Sequence, residues 1–129
     1  MLAMPWNVFI HPENPIIETQ YIGGLSPEEL SNAFYQTVAL AEQHKATLFI
    51  ADCSQLTGGH SLFDLYELIK VIGASDLRRS FKEALLMSDL PIINEDVKFW
   101  ETACRNQGLQ VKVFQDRQAA LDWLLQTAE

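Results

Sequence analysis

The sequence predicts an α/β domain: a five-stranded, mostly parallel sheet that opens with an antiparallel β-hairpin and carries four main helices, in the order ββαβαβαβα. Three features of the 129 residues predict it. Apolar and polar residues alternate on both sides of a proline turn before Leu25, the signature of a hairpin. "ATLFIAD" is a short continuous apolar run, as in a strand covered on both faces. Beyond it, helical-period segments alternate with short strands, the pattern of a parallel sheet with right-handed crossovers.

The elements follow in order. "WNVFIHPENPIIETQYIGG" supplies the first two strands around Pro12-Glu13-Asn14-Pro15 and ends at Gly23-Gly24. "LSPEELSNAFYQTVALAEQH" opens a helix with Ser26 as N-cap, Pro27 at the first helical position and Glu29 completing a capping box. Leu30, Phe34, Val38 and Ala41 continue it at helical spacing. "ATLFIAD" is the third strand and ends at Asp52. Ser61 is expected to cap the second helix, whose buried face is Leu62, Leu65, Tyr66, Ile69 and Ile72 and whose stop is Gly73. "FKEALLMS" is the fourth strand. A third helix starts near Asn94 or Glu95, turns Val97, Trp100, Ala103 and Cys104 to one side, and ends at Gly108. "LQVKVF" is the fifth strand, and Asp116 caps a last helix with Ala120, Leu121 and Leu124 inward and Trp123 alongside.

Composition narrows the function classes. The length suits one domain, residues 1–129. Seventeen acidic against nine basic residues give a formal charge of −8, which repels phosphate backbones and makes nucleic acid an unexpected partner. The longest apolar runs, near Leu48–Ala51 and Ala84–Met87, fall far short of the ~20 residues a bilayer span needs, so stable membrane insertion is not expected. "MLAMPWNVFIHP" lacks a basic segment leading into a sustained apolar one, so a cytoplasmic protein is expected. Cys53 and Cys104 are expected as free thiols.

The stretch "ADCSQLTGGHS", residues 51–61, concentrates reactive residue types. Asp52, Cys53 and His60 suggest a nucleophilic triad, but Asp52 and Cys53 are neighbours on a strand and leave it on opposite faces. No catalytic residue is therefore assigned. His11, His44 and His60 are scattered without metal-ligand spacing, so neither a metal nor another cofactor is expected. "SQLTGGHS" lacks the lysine of a phosphate-binding loop. Gly58, Gly59 and Ser61 remain a candidate anion site or phosphosite, since free backbone N–H groups at a helix start hold anions; the plainer alternative is a turn and an N-cap. Ligands of open parallel sheets bind beyond the carboxyl ends of the strands. That rule gathers residues 52–61, 87–91 and 115–117, with Asp52, Ser54, Thr57, His60, Ser88 and Asp89 as the candidate rim. Leu90, Pro91, Ile92 and Ile93 are expected in a loop, either a flap or a tie to the third helix. "LRRSF" at residues 77–81 offers two arginines, expected to be solvated.

"FWETACRNQGLQVKVFQDRQAALDWLL" resembles the closing segment of SpoIIAA-like STAS domains, in which a V-x-V-F strand precedes an A-L-x-W-L helix. The matching residues are Val111, Val113, Phe114, Ala120, Leu121, Trp123 and Leu124. The resemblance implies a non-enzymatic regulatory or binding domain that recognises a protein partner or a small molecule, lipophilic ligands being suggested by the related CRAL-TRIO lipid-transfer domains. It also implies an alternative, a phosphorylation-switched anti-sigma-factor antagonist acting through Ser61. There His60 replaces the acidic residue of the family motif and Leu62 its glycine. A further alternative, from the residues themselves, is an enzyme built on the loop around Asp52. Either a monomer or a homodimer is expected, the dimer through the hairpin edge and an exposed Trp6.

Overall fold

A computed structural model describes residues 5–58, 62–74 and 80–126, the side chains of 62–64 excepted. Its elements are β1 (Trp6–Ile10), β2 (Ile16–Gly24), α1 (Pro27–His44), β3 (Leu48–Gly58), α2 (Leu62–Gly73), β4 (Lys82–Leu86), α3 (Pro91–Asn106), β5 (Gln110–Phe114) and α4 (Arg117–Leu124). They form one five-stranded sheet in the order β1-β2-β3-β4-β5. β1 pairs antiparallel with β2, and the remaining neighbours pair parallel.

Every parallel crossover advances one strand in the same direction. Right-handed connections therefore place α1, α2 and α3 on a single face. Their apolar stripes bury Leu30, Phe34, Leu65, Ile69 and Val97 against Ile17, Phe49, Ala51 and Leu85 of the sheet. α4 follows the last strand and packs alone on the opposite face, where Ala120 and Leu124 meet Ile16, Ile50, Ala84 and Leu86. Each large aliphatic buried this way contributes about 1.5–3 kcal/mol. Lys82 fastens α4 from the sheet: its Nζ donates to the Trp123 carbonyl at 2.6 Å and lies 4.6 Å from the indole centroid. α4 is short, so the β1–β2 end of its face is bare, with Phe9 and Ile22 exposed.

The caps follow the sequence at both ends of the chain. Ser26 and Glu29 form the reciprocal capping box of α1, and the Ala119 N–H donates to Asp116 at the start of α4. Other expectations are corrected. β3 does not end at Asp52 but runs on to Gly58. Past Asp52 it leaves β4 and continues with the upper part of β2, with extra β3 residues accommodated between Asp52 and Gln55 and again before Gly58. Such bulges hide the alternation that marks a strand in sequence. Gly58 closes the strand with φ +132°, a backbone conformation L side chains rarely adopt, and its carbonyl accepts from the Leu25 N–H.

α3 begins at Pro91, one turn before the expected Asn94 or Glu95, so Leu90–Ile93 is no flap. Proline at the first helical position sacrifices no hydrogen bond. Ile93 is buried in that first turn. Tyr66 points outward, because the inward stripe of α2 is Leu65, Leu68, Ile69 and Ile72 at three- and four-residue spacing. Trp6 is buried rather than exposed: β1 turns it towards α1, where its Nε1 donates to Gln36 Oε1 at 2.8 Å.

Candidate functional site

Between the sheet and its three-helix layer lies a cavity of about 90 Å³. α1 and α3 approach the strands closely, whereas the close backbone neighbours of α2 are chiefly α3 and α1. The space beneath α2 is the result. Leu65, Leu68 and Ile72 of α2 form its roof, Leu30, Phe34 and Val38 of α1 and Val97 and Trp100 of α3 its sides, and Phe49, Cys53 and Leu85 part of its floor.

One ionisable group dominates this apolar enclosure. Glu83 and Leu85 on the helix-facing side of β4 continue the alternation from Phe81 just before the strand, and all three line the cavity. Glu83 is deeply enclosed, keeps some accessible surface and lines the cavity. Burial pushes its carboxyl up from 4.5 to about 7, while a 2.7 Å hydrogen bond from Trp100 Nε1 to Oε1 offsets part of the rise. Its second oxygen has no partner among the described residues. Such a group is costly to a fold and is characteristic of a binding or reactive site.

The remaining polar wall is quiet. Thr37 Oγ1 donates its one proton to the Ala33 carbonyl at 2.8 Å, so in the 2.6 Å Thr19–Thr37 contact Thr19 is the donor. Burial, then the charge of Glu83, pushes the Cys53 thiol up, which keeps it protonated and a poor nucleophile. Burial likewise keeps the Tyr21 phenol neutral.

On the opposite face of the sheet, an ion cluster joins the hairpin, β3 and α4. Arg117 grips Glu18 with two hydrogen bonds of 2.8 and 2.9 Å and reaches Asp52 Oδ2 at 3.0 Å. His11 Nε2 lies 2.8 Å from Glu18, and Gln20 donates to it at 3.0 Å. Burial alone would raise the Glu18 carboxyl, but Arg117, His11 and Gln20 together hold it below the usual carboxylate range. Glu18 is 1% exposed, and its oxygens are fully engaged. The cluster docks α4 and has no free acceptor on Glu18 to offer a ligand.

Among the described residues, those singled out in sequence do not converge. Asp52 faces α4 and Cys53 the helix layer, on opposite sides of the sheet. Asp52 Oδ1 also accepts from the Ser54 N–H and hydroxyl, which supports the β3 bulge. Ser88 is buried and structural: its Oγ accepts from the Leu90 N–H, while its own N–H and carbonyl are bound by the Asn94 side chain. Asp89 and Thr57 are exposed. None of Asp52, Ser54, Thr57, Ser88 or Asp89 lines the cavity beneath α2. Gly59, His60, Ser61 and the two arginines of "LRRSF" lie outside the described residues. Among the described residues no group of three or more potential ligands is placed to hold a metal, and no helix is long and apolar enough to cross a membrane.

Sequence reasoning passed over Glu83. The available signal was an acid at an inward position of a strand expected to be apolar on both faces, "FKEALLMS".

Strand order, a helix layer on one face and a lone closing helix on the other define a SpoIIAA-like α/β fold. In that class the chain is similar to the crystal structure of an uncharacterized DUF3478-family protein with a SpoIIAA-like fold from Shewanella loihica PV-4. The two share 20% identity and superpose with a TM-score of 0.58, over 92% of this chain and 91% of that one. No family model and no curated protein matches the sequence.

Proposed function

We propose that this protein is a non-enzymatic binding domain, spanning residues 1–129, that takes a small lipophilic ligand into the cavity beneath α2. The observation that carries the reading is the cavity itself: an apolar chamber under one helix, lined by the Glu83 carboxyl, one of whose oxygens has no partner among the described residues. Ligand sites share that plan, mostly apolar walls with a few polar groups that fix orientation. Among the described residues, the groups that could react are otherwise committed. The one thiol in the chamber is held protonated, and Asp52 is committed to Arg117 behind the sheet.

The volume sets the size of the ligand. At about 90 Å³ the chamber is smaller than the ~150 Å³ dry cavity that admits benzene, so it suits a short chain unless α2 moves outward. Protein isolated from its native cells without detergent, extracted with organic solvent and analysed by mass spectrometry, is expected to release one small apolar compound in near-stoichiometric amount. An extract indistinguishable from that of an unrelated protein handled in parallel would remove the reading.

A further inference from the structure

We infer that the ligand of the α2 cavity carries a protonated amine, seated on the free oxygen of Glu83 with its alkyl part under Leu65, Leu68 and Ile72. The inference rests on the cavity-binding reading above and adds the chemical class.

The argument begins with what the chamber lacks. Among the described residues, Trp100 is the sole hydrogen-bond donor to Glu83 and no lysine or arginine lines the cavity. Among the described residues, a carboxylate in this position has one oxygen satisfied and no counter-charge. A ligand bearing a neutral hydroxyl would satisfy the oxygen only, whereas an ammonium group would satisfy both the oxygen and the charge. Aromatic walls add to the preference, since the rings of Trp100, Tyr21, Phe34 and Phe49 surround the chamber and attract a desolvated cation. An anionic ligand would meet Glu83 and a chain of net charge −8.

The groups facing Glu83 define the pH behaviour. β2 presents Tyr21, β3 presents Cys53, and α3 presents Cys104, Asp96 and Trp100. The described lining residues of α1 and α2 are uncharged. The phenol and both thiols are pushed up by burial and stay neutral through the working range. Glu83, held near 7, is the group that changes charge there. A simple alkylamine is still protonated at these pH values. Its affinity therefore rises as pH rises through about 7 and levels off above, as Glu83 becomes anionic.

The probes are isobutylamine, isobutanol and isobutyrate, matched in size, titrated into the intact protein while the Trp100 indole N–H and the Leu65, Leu68 and Ile72 methyl groups are followed by NMR. The amine is expected to bind at least about tenfold more tightly than the alcohol near pH 8, with that advantage fading about tenfold per pH unit well below the Glu83 transition. Glu83→Gln keeps an oxygen for Trp100 and is expected to abolish the preference of the amine over the alcohol. If alcohol and amine bind alike near pH 8, or isobutyrate binds best, the amine assignment is overturned and the cavity reading stands. If none of the three shifts the Trp100 or roof signals at saturating concentration, the cavity reading falls and the amine assignment with it.

Discussion

Glu83→Gln is expected to stabilise the ligand-free protein by about 3 kcal/mol near pH 8 and to change its stability little near pH 4. The carboxyl is raised in the native state from 4.5 to about 7. Between those values the folded protein binds more protons than the unfolded chain, so wild-type stability falls as pH rises through that window and stays lowered above it. Glutamine has no proton to lose, retains an acceptor for Trp100 Nε1, and escapes the penalty of a charged group in an apolar chamber. Urea midpoints of wild type and variant at the two pH values measure the difference. An equal effect at both, or a loss of stability near pH 8, would contradict the assignment of Glu83 as a strained, buried acid. A stabilising substitution inside a core is unusual, and marks residues retained for something other than folding.

Arg117→Met carries the opposite sign. It removes the guanidinium that grips Glu18 twice and Asp52 once, leaving a 1%-exposed carboxylate with only His11 and Gln20 as partners. Breaking a buried pair costs about 3–5 kcal/mol, and the partial exposure of Arg117 lowers the expected cost to the bottom of that range or just below it, about 2–3 kcal/mol near pH 7. The sign with pH follows from the depressed Glu18 carboxyl. Its contribution is present above the unfolded value of 4.5 and is lost as pH falls through the lower folded value, so wild type and variant converge in acid. Adding Glu18→Gln to Arg117→Met should recover part of the loss, because no buried charge is then left unpaired. A single variant as stable as wild type at neutral pH would show that the cluster does not hold α4.

These two residues also mark what could be read in the sequence. The capping box at Ser26–Glu29, the Asp116 cap and the "VKVF" strand are local signals, and local structure followed them. The course of β3 beyond Asp52 depends on its bulged pairing with β2, a non-local fact that period-two alternation cannot carry. The turn at Leu90–Ile93 looked like an apolar loop because the side chains that brace the start of α3, Ser88 and Asn94, are recognisable only as a pair in space.

The chamber beneath α2 is lined by residues other than those the sequence singled out. "ADCSQLTGGHS" drew attention because it collects reactive residue types, yet alternation sends Asp52 to the α4 face and Cys53 to the helix layer. Arg117 fell within the strand-end region by the topology rule, but its link to Glu18 spans 99 positions and has no sequence signature. Glu83 was visible as an acid in an apolar strand. Its importance depends on the stand-off of α2, which is decided by tertiary packing and not by any one segment.

The central claim is that the space beneath α2 is a ligand chamber rather than a packing imperfection. Methyl NMR of the protein under xenon pressure tests it directly, since xenon enters apolar cavities without needing a polar contact. Saturable shifts are predicted at Leu65, Leu68, Ile72 and Leu85, which line the chamber, and not at Ile16 or Leu124 on the α4 face. Shifts that fail to saturate, or that appear equally on both faces of the sheet, would contradict it.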